Sequence, residues 1–174
     1  MTGGLAAPRA IALQPNGWVP NNGRLPVLFY SAALSPVGDR AAAFEALFEK
    51  NDWPPQWRDG VYNYHHYHST AHEVLGFAAG TARIMLGGPG GTEVEVAAGD
   101  VVVLPVGTGH CLIEASGDFL VVGAYPRGQR WDIRREAPTD EMRARMASMP
   151  IPSRDPLQGE GGPLTRLWRD VGRA

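Results

Sequence analysis

An all-β sandwich or barrel is the fold class this sequence predicts, on three observations. The 174 residues include 22 glycines and 15 prolines, which favours frequent turns and short strands over long helices. Seven short apolar or alternating runs follow one another from Val61 to Tyr125, broken by Gly and Asp. Between two of them stands Gly87-Gly88-Pro89-Gly90-Gly91, a strong hairpin signal. Runs at this spacing fit a closed or two-layered β structure and not a parallel α/β sheet.

In chain order, residues 1–24 are rich in Gly, Pro, Asn and Ala and are expected to form an irregular arm. Pro26 to Tyr30 reads as a first strand. Gly38 to Glu49 reads as a helix: Asp39 can cap it, its alanines favour it, and Phe44, Leu47 and Phe48 share a face. It should stop near Asn51, because Pro54-Pro55 cannot continue a helix. The seven strand candidates are Val61–His68, Val74–Phe77, Ala82–Leu86, Glu93–Val96, Val101–Leu104, Cys111–Glu114 and Phe119–Tyr125. Thr139 is placed to cap a short helix opened by Pro138, with Asp140 and Glu141 at its positive end. The tail is irregular until Leu164–Trp168, an apolar patch expected to pack back on the body. Residues 25–174 then form one domain, its core at 60–125.

Composition narrows the function classes. With 16 basic and 18 acidic residues the chain carries no footprint for nucleic acid or an anionic membrane. No apolar run approaches the length of a membrane span, and Met1 to Arg9 lacks the pattern of a secretory signal. A single cysteine, Cys111, excludes an internal disulfide and suits a reducing compartment, so a cytoplasmic location is expected.

Chemistry concentrates in four histidines and a glutamate, His65, His66, His68, His72 and Glu73, with a fifth histidine at His110. Imidazoles and a carboxylate clustered in this way suit a divalent metal. On a strand through His68, alternation sends His66 and His68 to one side with Tyr62 and Tyr64, and His65 to the other. A third and fourth ligand must come from Glu73 or His72 nearby and from His110. Strict alternation from His68 favours His72; a turn or bulge at Ser69-Thr70-Ala71 would favour Glu73 instead. Tyr64 and Arg83 are candidate substrate contacts, since an inward Arg83 would need an anionic partner and an outward Arg83 would not. Otherwise His72 is read, with His65, as a surface residue or one that buttresses a ligand.

At these residues the chain resembles the cupins. Gly60, five residues, His66, one residue, His68, four residues, Glu73, six residues and Gly80 match the first cupin motif. Gly99, five residues, Pro105, one residue, Gly107, two residues and His110 match the second, whose usual closing Asn is here Glu114. The flanking Asn51 to Trp57 and His65 to Glu73 are similar to the YjlB-like branch. The resemblance implies a double-stranded β-helix (jelly-roll) barrel with a few flanking helices. It also implies one divalent ion (iron, manganese, nickel or zinc) held by His66, His68, Glu73 and His110. It implies a metal-dependent enzyme, of oxygenase, isomerase or hydrolase type, acting on a small polar or anionic molecule. The alternative it leaves open is a non-catalytic cupin that binds or senses a small ligand around a structural metal. Cupins commonly pair through their sheets, so a homodimer using the N-terminal strand is expected.

Overall fold

The computed structural model describes residues 5–35 and 37–169; the first four residues of the N-terminal arm and the last five of the expected domain lie outside them. Nine strands and three helices follow in the order β1 (Arg9–Ile11), β2 (Val27–Tyr30), α1 (Arg40–Lys50), β3 (Pro55–Asp59), β4 (Glu73–Ala79), β5 (Thr81–Leu86), β6 (Thr92–Ala97), β7 (Val101–Leu104), β8 (His110–Ala115), β9 (Leu120–Ala124), α2 (Asp140–Ala147) and α3 (Pro163–Leu167). All pairings within the strands are antiparallel. They build a six-stranded sheet, β1-β2-β7-β4-β9-β3, facing a three-stranded sheet, β6-β5-β8. The fold is the jelly-roll expected of the sequence.

Two apolar cores result, one on each face of the larger sheet. The inner core lies between the sheets. Ala82, Ile84 and Leu86 of β5 and Val94 and Val96 of β6 meet Leu75, Phe77, Val102 and Val121 there. The smaller sheet alternates as its sequence does, with Glu93 and Glu95 outward. The outer core covers the other face, where Val74, Val101, Val103 and Val122 meet Phe44 and Phe48 of α1 together with Trp53, Leu164 and Trp168. This second cover explains why β2 and β7 are unbroken apolar runs buried on both sides. Helix α1 sits close because β4 offers Gly76 beneath it: a Cβ there would lie 2.8 Å from the Phe44 ring. Asp39 caps α1 by accepting the Ala42 N–H. Thr139 caps α2 in the same way, through the Met142 N–H.

The C-terminal segment is bound by polar contacts as well. Buried Asp155 accepts hydrogen bonds from the Tyr30 hydroxyl and from the N–H groups of Leu157 and Leu164. Trp168 donates its indole N–H to Pro26 O at 3.0 Å.

Three expectations need correction. Val61–His68 is not a strand. Its main chain runs beside Gly107–Leu112 in a broken register: Tyr62 O takes Leu112 N–H, His66 pairs with His110, and His68 O takes Gly107 N–H, while Tyr67 pairs with Arg134. These bonds are too unevenly spaced to make a ladder. Pro55–Asp59, for which no element was expected, is a strand; it lies at the sheet edge, where a proline costs no ladder bond. Part of the arm expected to be irregular, Arg9–Ile11, pairs with β2.

Candidate metal centre

The two histidine-bearing segments are joined by their backbones. His66 N–H donates to His110 O at 3.3 Å, and His110 N–H donates back to His66 O at 2.9 Å. Behind them Gly107, at φ +89°, donates its N–H to His68 O at 2.8 Å. A Cβ at Gly107 would lie 2.9 Å from Asn21 O, so the position needs glycine both for its left-handed backbone and for space. The ring centroids of His66 and His110 are consequently 4.1 Å apart, and that of His68 lies 5.6 Å and 5.3 Å from them.

Each ring is held in the same manner. Nδ1 of His66 bonds Tyr64 O at 3.0 Å, Nδ1 of His110 bonds Thr108 O at 3.0 Å, and Nδ1 of His68 bonds Asp132 O. A carbonyl oxygen can only accept, so Nδ1 carries the proton and Nε2 keeps its lone pair. The three histidines are buried, and one potential ligand atom from each lies within 4.8 Å of the other two.

Glu73 enters from the facing sheet. It opens β4 with its carboxylate in phase with Leu75 and Phe77, whose side chains fill the inner core. Its Oε2 lies 3.1 Å from His68 Nε2 and its Oε1 3.3 Å from His110 Nε2. Tyr125 donates to Oε2 at 2.6 Å and accepts the Trp57 indole N–H at 2.9 Å. His68 Nε2 and Glu73 Oε1 are nevertheless buried without a hydrogen-bond partner. Such orphaned atoms are rare in folded proteins, and two in one buried cluster suit a cation beside them. The donor set therefore fits a divalent ion.

Charge in the cluster is strongly perturbed. Burial, with His110 beside it, pushes the His66 imidazole down to about 3. Burial also works against a charge on His68, but the Glu73 carboxylate overrides it and raises this group above the usual histidine value. Glu73 is fully buried, which alone would raise it; His68 and His110 hold it well below the usual carboxylate range. Burial and the Glu73 carboxylate push the Tyr125 phenol well up, so it remains a donor.

No family model matches this sequence. It is 35% identical over 155 residues to the uncharacterized protein YjlB of Bacillus subtilis (strain 168), covering 88% of this chain and 92% of that protein. The chain belongs to the YjlB-like cupins. Among solved structures it is similar to acireductone dioxygenase from Bacillus anthracis with a cadmium ion in its active centre, at 16% identity over 63% of this chain and 83% of that one, with a TM-score of 0.41. It is similar also to a variant of oxalate decarboxylase from Bacillus subtilis, at 16% identity over 68% of this chain and 29% of that one, with a TM-score of 0.36. At these scores neither likeness bears on chemistry.

In this YjlB-like cupin, His66, His68, Glu73 and His110 line one cavity of about 280 Å³. His72 lies elsewhere. Ser69 and Thr70 bend the chain after His68, and Asp132 pins the bend by accepting the Ser69 N–H. The parity shift sends His72 to the outer core, where its Nδ1 accepts the Val106 N–H, its Nε2 meets Pro150 O, and its ring lies 5.0 Å from that of Trp168. It makes no contact with the three clustered rings and does not buttress them.

The two expected substrate contacts are also displaced. Arg83 faces outward from β5, where Glu114 at 2.9 Å and Glu93 at 3.4 Å meet it. Alternation with inward Ala82 and Ile84 accounts for this. Glu114, standing at the motif's usual Asn, thus serves an external ion pair. Tyr64 stacks on Tyr62 at 4.9 Å under the guanidinium of Arg135, outside the cavity lining. With Arg83 outside, no Lys or Arg lines the cavity among the described residues, so the expected preference for an anion loses its carrier.

Trp57, Tyr125 and Trp131 were not legible as site residues. Parity in β9 could have found Tyr125, because Val121 is inward and Gly123 and Tyr125 follow at alternate positions. Nothing local marks Trp57 or Trp131.

Proposed function

We propose that this cupin is a metal-dependent enzyme. It binds one iron, manganese, nickel or zinc ion through His66, His68, Glu73 and His110, and acts on a small molecule that enters the adjoining cavity. The observation that carries the reading is the shared tether of the three imidazoles: every Nδ1 is engaged by a main-chain carbonyl, which leaves every Nε2 free to ligate, those of His68 and His110 beside Glu73. Such an ion supplies Lewis acidity toward a substrate oxygen or a water.

The remaining work falls to the protein. The three imidazoles present Nε2 to the ion, and Glu73 contributes the balancing negative charge. Tyr125 occupies Oε2 of that carboxylate and leaves Oε1 free. Trp57 fixes Tyr125 in turn. An enzyme is favoured over a purely structural metal because the histidines border a cavity with room for a second molecule. The same reading has the chain acting as a cytoplasmic homodimer paired through β1, which has one strand neighbour; a monomer by light scattering would overturn that pairing.

Elemental analysis tests the reading. Purified or reconstituted protein should carry one divalent ion per chain, His66→Ala and His68→Ala should each lose it, and His65→Ala should keep it. Absence of metal after reconstitution overturns the proposal. Proton relaxation of bulk water around manganese-loaded protein then reports an exchangeable position; an unaltered rate favours the structural role.

A further inference from the structure

We infer that, beyond its metal-binding end, the cavity selects an uncharged, planar apolar group and not a second, anionic one. This deepens the proposed function and rests on it for the metal-binding end alone. Aromatic rings dominate the walls: Trp57, Tyr62, Tyr125 and Trp131, with Leu75 behind them. Tyr125 and Trp131 stack with centroids 5.7 Å apart at 23°, so a pair of rings builds one wall. At the mouth, Tyr62 is 48% exposed and Trp131 41% exposed. Large apolar groups left in solvent at the rim of a cavity mark a place where something apolar is received.

Charge argues the same way. The lining holds two carboxylates, Glu73 within and Asp59 toward the mouth, and no cation among the described residues. Three arginines close in sequence to the lining are committed elsewhere, Arg58 with Glu45, Arg134 with Asp132, and Arg135 at 3.9 Å over the Tyr64 ring, while Arg130, next to Trp131, is not among the lining residues. A substrate carboxylate or phosphate placed among these rings would be desolvated with no protein counter-charge. A flat neutral ring would instead gain contact with Trp131 and Tyr125. The cavity, about 280 Å³, is at the small end for ligand sites and suits a molecule of one ring.

Three hydroxamic acids with the same chelating group test this by calorimetry on zinc-loaded protein, after metal content has been measured for every variant. Benzohydroxamic acid should bind about tenfold more tightly than acetohydroxamic acid. 4-Carboxybenzohydroxamic acid should lose that advantage. Trp131→Ala and Tyr62→Ala should each erase most of the ring preference while acetohydroxamic acid binds as before. Equal affinity of the first two compounds, or tightest binding of the carboxylated one, overturns the inference and leaves the metal reading intact. Benzamide and acetamide on metal-free protein separate the two ideas: if the protein takes no metal, preference for benzamide upholds the aromatic cavity alone. Absence of that preference overturns it.

Discussion

His72 and Glu73 are adjacent and both fully enclosed, yet they serve opposite faces of one sheet. Glu73 lies with the three imidazoles, whereas His72 is spent on Val106 N–H and Pro150 O beside Trp168. Substituting each should therefore give opposite results. His72→Ala opens a hole and strands a buried N–H, which costs about 2–4 kcal/mol, while metal content stays at the level of the parent protein. Glu73→Gln keeps the volume and should lower metal affinity by at least about tenfold, read by competition with a chelating dye. Should His72→Ala release the metal and Glu73→Gln retain it, the assignment of the fourth ligand is wrong. From the sequence, the histidines were readable because two separate spaced motifs converged on them. The choice between residues 72 and 73 was not readable from alternation, since it depends on a bend fixed by Asp132, some sixty residues away.

Among the elements, β9 and β3 show how packing reaches the site. Gly123 has Trp57 directly over its α-carbon: a Cβ there would lie 2.1 Å from the indole ring. That contact keeps the indole flat against the sheet with its N–H on Tyr125. Gly123→Ala should displace Trp57, lower Tm by several degrees and shift tryptophan emission, in keeping with about 1–3 kcal/mol of overpacking. An unchanged Tm and spectrum would mean the indole has somewhere else to go. Strand existence was largely legible, because apolar alternation in β5 and β6 and solid apolar runs in β4 and β7 follow from which faces are covered. The segment from Val61 to His68 was misread for a physical reason. Its aromatic and histidine content favours extended backbone, but its bonds to Gly107–Leu112 slip register along the way, Tyr67 pairs instead with Arg134, and no ladder forms.

At the scale of the whole molecule, the candidate ligands span the space between sheets. Glu73 belongs to the six-stranded layer, His110 to the three-stranded one, and His66 and His68 to the connection between β3 and β4. A bound ion would cross-link layers otherwise joined by apolar contact, so it should stabilise the fold as a whole. Metal-loaded protein should melt higher than the same protein stripped with EDTA, by roughly 3 kcal/mol of stability at a metal concentration near a hundred times Kd. Calorimetry gives the comparison, and coincident melting curves would sink the cross-link. The sequence conveyed the barrel and the convergence of its two motifs. It did not convey the second core, because the cover supplied by α1 and Trp168 depends on distant segments returning to the sheet.

The carbonyl tethers have an evolutionary consequence. Every amino acid possesses a main-chain oxygen, so the identities of residues 64 and 108 are immaterial to how His66 and His110 are oriented. Relatives are free to drift at those positions without retuning the imidazoles. Sequence variation beside the metal shell and constancy of the shell itself can then be inherited independently.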